Sequence, residues 1–308
     1  MTKDGREQFI SRRFSEQSLE LLSRSDNILN EYARLGYDLS LRQLYYQFVA
    51  RDLLPYSWID PNTGSKNNNK SYKKLVSLVG DGRLAGIIPW NMIVDRNRET
   101  QSTGTWSSSR NFLLAAANAF RFDKWNFQSA YVECMVEKDA LSGVLGPVCK
   151  SLGIHFTANK GYSSLSNLYE AGQRIARAID YGKEVHILYL GDHDPSGLDM
   201  TRDIADRLEL FSRAQLYVDR LALNMDQITS LNPPENPAKE TDSRFEAYAE
   251  KYGRQCWELD AIEPGELADL VRDAVEALIE TYEWNEALEI EREKIESIKE
   301  FVKGYREL

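Results

Sequence analysis

The chain has 308 residues, enough for two cores, with 42 % hydrophobic and 28 % charged residues, the profile of an ordinary folded protein rather than a disordered one. Its apolar runs are too short to span a bilayer, the polar start MTKDGREQF does not read as a signal peptide, and Cys134, Cys149 and Cys256 share no metal-type spacing, so a cytoplasmic protein with reduced thiols is expected. The net charge of −10 is uneven: residues 1–124 hold 18 Lys and Arg against 13 Asp and Glu, the remainder 20 against 35, so a basic front half can meet a polyanion while an acidic back half stays in solvent.

Residues 14–35 predict an amphipathic helix, with Leu19, Leu22, Ile28, Leu29 and Tyr32 near helical spacing and Gly36 as its stop. Ser40 followed by Gln43 predicts a capping box, opening a helix whose stripe is Leu41, Leu44, Tyr45, Phe48 and Val49. A polar loop (61–70) leads to a third helix near 70–85, with Leu75, Val76, Leu78 and Val79 inward and Lys70, Lys73, Lys74 and Arg83 outward. LAGIIPWNMIVD then predicts a short β-wing, so that residues 1–124 form a winged helix-turn-helix domain. ETQSTGTWSSS (99–109) predicts a mobile loop, and 110–121 a helix.

From 129 the pattern becomes βαβαβα. Strands are expected at 129–137, 154–158, 184–190 and 214–223, with helices at 138–152 (bent near Pro147), 164–181 and 197–213. The segment 125–230 is therefore an α/β domain on a parallel sheet. Residues 231–244 are too proline-rich for a regular element, and 266–306 form an acidic helical tail, giving a C-terminal extension over 231–308.

Two constellations carry chemistry. Glu137 closes one strand, and Asp192 and Asp194 close another with side chains on the same side. Three carboxylates at one rim suit Mg²⁺, although the two aspartates can instead cap the following helix. Lys138 and Lys160 follow strand ends on that rim, where they neutralise a phosphate or stay solvated. The second constellation is Arg42 and Tyr46: on a helical wheel at about 100° per residue they fall together beside the apolar stripe, so Tyr46 is expected to face outward while Tyr45 packs inside. A neighbouring guanidinium favours the phenolate and binds phosphate oxygens, as a tyrosine nucleophile requires.

The combination of SLRQLYYQF (40–48), VEKDAL (136–141), NKGY (159–162) and GDHDPSG (191–197) resembles the A subunit of DNA topoisomerase VI and the meiotic double-strand-break transesterases. The chain looks most like the short, stand-alone A-like proteins of mobile elements, bacteria and archaea, and the likeness covers roughly 37–200. The resemblance implies a winged-helix domain bearing the nucleophile, Tyr46 here, and a Toprim domain holding Mg²⁺ on Glu137, Asp192 and Asp194. It further implies a homodimer on double-stranded DNA, with each tyrosine facing the metal of the other protomer, and a 5′-phosphotyrosyl product. Arg42 would stabilise the reacting phosphate, and Lys70, Lys73, Lys74, Arg83, Lys138 and Lys160 would hold backbone. Nothing resembles an ATP site, so strand passage would need a separate ATPase subunit. A hydrolytic Toprim endonuclease and a non-cleaving DNA-binding accessory protein remain open.

Overall fold

The computed structural model describes residues 6–93, 105–159 and 164–305. Three helices come first: α1 (Glu16–Arg34), α2 (Leu41–Ala50) and α3 (Asn69–Leu84). Each starts on a side-chain oxygen that accepts an orphan backbone N–H: Ser15, Ser40 and Asn68. The Ser40–Gln43 capping box is formed in both directions, at 3.2 and 2.8 Å. Leu22, Ile28, Leu29, Leu44, Phe48, Leu75 and Val79 pack into one core, whereas Leu19 is exposed and Leu21 is buried in its stead.

The expected wing is absent among the described residues. After α3 the chain turns at Gly86 (φ 75°), passes Pro89, which has no N–H to donate, and makes a single 3₁₀ turn, Trp90–Met92. Only isolated bridges form there, Gln8 with Ala85 and Leu39 with Ile93. Val94 and Asp95 of that segment, and 99–104 of the Ser/Thr/Gly-rich stretch, lie outside the described residues.

After α4 (Ser109–Ala119) the parallel unit follows: β1 (Ala130–Val136), α5 (Ser142–Leu152, carrying Pro147), β2 (His155–Ala158), α6 (Leu165–Asp180), β3 (Glu184–Leu190), α7 (Pro195–Ser212) and β4 (Val218–Ala222). The sheet order is β2-β1-β3-β4, with every pairing parallel. Alternation along the strands builds two cores. Val132, Cys134, Val136, Leu188 and Leu190 face α5, while Met135, Ile187 and Tyr189 face α6 and α7. The molecule is thus a mixed α/β fold around a four-stranded parallel sheet.

The remainder is more ordered than its prolines suggest: α8 (Met225–Leu231), β5 (Glu235–Pro237), α9 (Phe245–Tyr252), β6 (Gln255–Trp257), α10 (Pro264–Glu276) and α11 (Thr281–Gly304). β5 and β6 form an antiparallel pair. Leu267, Ala268, Val271 and Val275 of α10 close the α5 face of the sheet. No helix among the described residues is long and apolar enough to cross a membrane.

Candidate functional site

From β1 the chain crosses to β2, and from β3 it crosses to β4, in opposite directions along the sheet. The crevice beyond the C-terminal ends of β1 and β3 lies at this switch point, where parallel α/β sheets place their ligands. Val136 pairs with Leu190, and the Glu137 N–H donates to Leu190 O at 2.9 Å. Glu137 therefore leaves β1 beside the 191–197 loop, and its Oε2 accepts the Asp192 N–H at 2.8 Å. Asp192 Oδ1 accepts the Leu259 N–H at 2.8 Å, and Oδ2 pairs with Lys138 Nζ at 2.7 Å. Asp194 caps α7, accepting the Gly197 N–H at 2.6 Å.

The glycines are steric requirements here. A Cβ on Gly197 would lie 2.2 Å from Asp192 O, and one on Gly191 would lie 2.9 Å from Glu137 Oε2. Arg220, on β4, fastens the loop from below, donating to Gly191 O at 2.9 Å, Asp192 O at 2.6 Å, Gly197 O at 3.0 Å and Thr201 Oγ1 at 2.8 Å. His193 turns away, with Nδ1 3.0 Å from the Tyr248 hydroxyl, while its backbone pairs with Trp257 at 2.9 and 3.1 Å. Burial first, then Arg220, lowers its pKa to about 4.

Charge is concentrated in this crevice. Burial, then the Asp192 charge, raises the Glu137 carboxyl to about 7, against the pull of the Asp192 N–H and Lys138. Burial raises Asp192 to about 6, with Lys138 and the Leu259 N–H opposing. Glu258 and Asp260, from the segment after β6, complete the wall. Burial would raise Glu258, but Lys138 and Arg42 hold it below the usual carboxylate range. Asp260 is 3 % exposed and burial raises it. These groups line a cleft of about 720 Å³ together with Arg42 and Asn236.

Arg42 and Tyr46 arrive from α2, and here the structure corrects the helical wheel. Tyr46 is 3 % exposed, because α2 packs against the 259–261 turn as well as its own core. Burial, then the Glu258 charge, drives its phenol pKa up, outweighing Arg42 and Lys138, so the expected bias toward phenolate is reversed. Its surroundings are polar all the same: with Arg42, Asn67, Asn68, Tyr72 and Glu258 it lines an adjoining pocket of about 240 Å³. The Arg42 guanidinium sits 5.9 Å from the Tyr46 ring and holds Glu258 at 2.7 and 2.9 Å, where a free phosphate binder was expected. Lys138 Nζ reaches the same carboxylate at 3.1 Å. One unbroken chain of ion pairs, Arg42–Glu258–Lys138–Asp192, therefore joins the two constellations.

The outlying lysines divide. Lys70, Lys73 and Lys74 are exposed on α3, with Lys74 5.4 Å from the Trp58 ring. Arg83 is not outward: its guanidinium stacks 4.5 Å over Trp90 and donates to Trp90 O at 2.8 Å, and burial lowers its pKa. Lys160, with Gly161 and Tyr162, lies outside the described residues.

Among the described residues no group of three or more His, Cys, Asp or Glu side chains is placed to hold a metal ion. By type, the rim acids Glu137, Asp192 and Asp194 are the hard oxygen donors that Mg²⁺ favours. Burial is the main cause that raises Glu137 and Asp192, and outside that set neither oxygen of buried Asp260 accepts a hydrogen bond. Sequence reasoning missed Glu258, Asp260 and Arg220. Glu258 and Asp260 did leave a signal, the same two-residue spacing of acids as 192 and 194, but in a segment without periodicity. No protein-family model, curated protein or solved structure matches this chain.

Proposed function

We propose that this chain cleaves double-stranded DNA by Mg²⁺-dependent tyrosine transesterification, in the manner of the topoisomerase VI A family it resembles, as a homodimer. In this reading the front helices are a helix-turn-helix module, the parallel sheet is a Toprim domain, and a separate ATPase subunit would serve any strand passage. One observation carries it: Arg42 and Tyr46 occupy a pocket that adjoins the Glu137–Asp192–Asp194 rim, with Arg42 and Glu258 lining both.

A backbone phosphate entering the cleft competes with Glu258 for Arg42, since a guanidinium binds either oxyanion through the same fork. Arg42 and Lys138 are the charges that favour ionisation of Tyr46, against burial and Glu258. The phenol oxygen then bonds to phosphorus as the bond to the 3′-oxygen breaks. The phenol proton passes through solvent to that oxygen, leaving a 5′-phosphotyrosyl link and a free 3′-OH. Glu137, Asp192 and Asp194 would hold Mg²⁺, which would supply charge neutralisation for the reacting phosphate. Lys70, Lys73 and Lys74 hold flanking backbone without reading sequence.

Burial of Tyr46 favours a second reading, a hydrolytic endonuclease in which the tyrosine only packs. Supercoiled plasmid incubated with Mg²⁺ and quenched in SDS, with and without protease, separates the two. Transesterification gives protein-linked ends that Tyr46→Phe abolishes while DNA binding persists. Linked ends surviving in Tyr46→Phe would falsify the assignment; free ends in both proteins indicate the hydrolase, and intact plasmid a binding protein.

A further inference from the structure

Glu133 is a buried charge that the rim chemistry does not use. It stands midway along β1 with no exposed surface, on the face that also carries Tyr131 and Met135. A carboxylate there is tolerable only with a full partner. That partner is Arg174 of α6, whose Nε and Nη2 donate to Glu133 Oε1 and Oε2 at 2.8 and 3.0 Å, while the Tyr131 hydroxyl donates to Oε1. The guanidinium is thereby fixed, and its third nitrogen, Nη1, has no partner among the described residues.

Arg174 lines a cavity of about 420 Å³ toward the end of the sheet away from the rim. Tyr131, in its wall, precedes Glu137 by six residues of extended chain, about 20 Å. Cations prevail here. Arg174, Arg177 and Lys183 face one acid, Asp123, whose carboxylate already accepts the Trp125 N–H at 3.1 Å. Lys183 gives charge only, since its ammonium is engaged by the carbonyls of Trp125, Asn126 and Gln128 at 2.6, 3.4 and 2.7 Å. Arg177 is exposed, lies one turn from Arg174 on α6, and makes no ion pair among the described residues. Aromatic rings supply much of the remaining wall. Tyr131 and His155 have ring centres 6.1 Å apart, and Tyr181, at the end of α6, is 82 % exposed with no ring neighbour among the described residues.

We propose that this cavity is a nucleotide site, in which Arg174 and Arg177 take the phosphate and Tyr181 the base. Two guanidiniums one turn apart present paired donors that match phosphate oxygens, and Glu133 holds the first in place before any ligand arrives. The open Tyr181 ring gives a base a face to stack on, and the exposed Asn126 amide, both donor and acceptor, suits its edge. At about 420 Å³ the cavity holds one nucleotide unit and not a duplex. That unit is a free nucleotide or one nucleotide of a single strand. The site is separate from the rim and does not rest on the transesterase reading.

Isothermal titration calorimetry of the full chain in EDTA tests it with AMP, inorganic phosphate, adenosine and a single-stranded oligothymidylate. AMP should bind at one site per chain, about tenfold or more tighter than phosphate or adenosine. Arg177→Ala and Tyr181→Ala, both at exposed positions, should each weaken AMP about tenfold without moving the melting curve. Arg174 is left intact, because its removal would strand buried Glu133. Tighter binding of oligothymidylate than of AMP, lost in the same two variants, assigns the site to a strand; AMP binding at least as tightly assigns it to a free nucleotide. Phosphate binding as tightly as AMP, AMP affinity unchanged in both variants, or no saturable binding of any probe overturns the site. Nucleotide binding that requires Mg²⁺ and disappears in Asp192→Asn belongs to the rim and overturns it too.

Discussion

Replacing Glu137 by Gln should stabilise the cation-free protein, and increasingly so with rising pH. The folded-state carboxyl titrates near 7 rather than at its ordinary 4.5, through burial and the charge of Asp192. Because the pKa is raised, the neutral acid favours the folded state. That contribution is fully present below about pH 4.5 and is lost as pH climbs through 7, while the unfolded chain ionises freely. Each pKa unit is worth about 1.4 kcal/mol, which sets an upper bound of about 3.5 kcal/mol; sharing of charge with Asp192 lowers the expectation to about 1.5–3 kcal/mol at pH 8. Gln has nearly the same shape and keeps an oxygen to accept the Asp192 N–H, so it escapes this penalty. For a chain of this size the gain is roughly 2–5 °C in Tm. Scanning calorimetry at pH 4.5 and pH 8 in EDTA, repeated with Mg²⁺, reads it directly. The variant should melt close to wild type at pH 4.5 and above it at pH 8, and Mg²⁺ should narrow the gap by rescuing the wild type. A variant less stable than wild type at pH 8, by the same margin as at pH 4.5, would refute the claim that Glu137 is held at an electrostatic cost.

Three further outcomes follow from the same geometry. Gly197→Ala places a methyl 2.2 Å from a backbone carbonyl and should cost about 2 kcal/mol or more in thermal melts, whereas Gly80→Ala, with nothing within 4 Å, should gain roughly 0.5–1 kcal/mol. Arg220→Met strips four hydrogen bonds from the 191–201 region and should lower urea stability by about 2–4 kcal/mol; a loss below about 0.5 kcal/mol would show that the loop holds itself. Glu258→Gln weakens the carboxylate grip on Arg42, so fluorescence anisotropy in EDTA should show tighter duplex binding, with a log–log salt slope steeper by about one; unchanged binding would mean that Arg42 never meets phosphate.

What could be read from residues alone was whatever is local or periodic. The Ser40–Gln43 box needs only four residues to form, and alternation in 130–136 and 184–190 sorts side chains between two helical layers without knowing which helices. Failures came where a distant segment decides. A wheel centred on Leu44 and Phe48 leaves Tyr46 outside the stripe, and it is buried because the turn at 259–261, more than 200 positions along, covers that flank of α2. The wing failed for a local reason given too little weight, a positive-φ glycine at 86 and a proline at 89 within one short run.

Glu258 and Asp260 were the costliest omission, and their placement has a traceable cause. Trp257 pairs through its backbone with His193, the residue between the two rim aspartates. That bridge locks the register of 258–260 against the 192–194 loop, so Leu259 donates to Asp192 while the acids on either side of Leu259 turn into the cleft. The segment thus does two things at once: it caps the Tyr46 face of α2 and supplies carboxylates to the rim. Glu258, bound to both Arg42 and Lys138, is the point where those roles meet, so charge arriving at one constellation must be felt at the other. Any anion that draws Arg42 away leaves Glu258 to Lys138 alone, and Lys138 is also the partner of Asp192, so a single side chain carries the change from one constellation to the other.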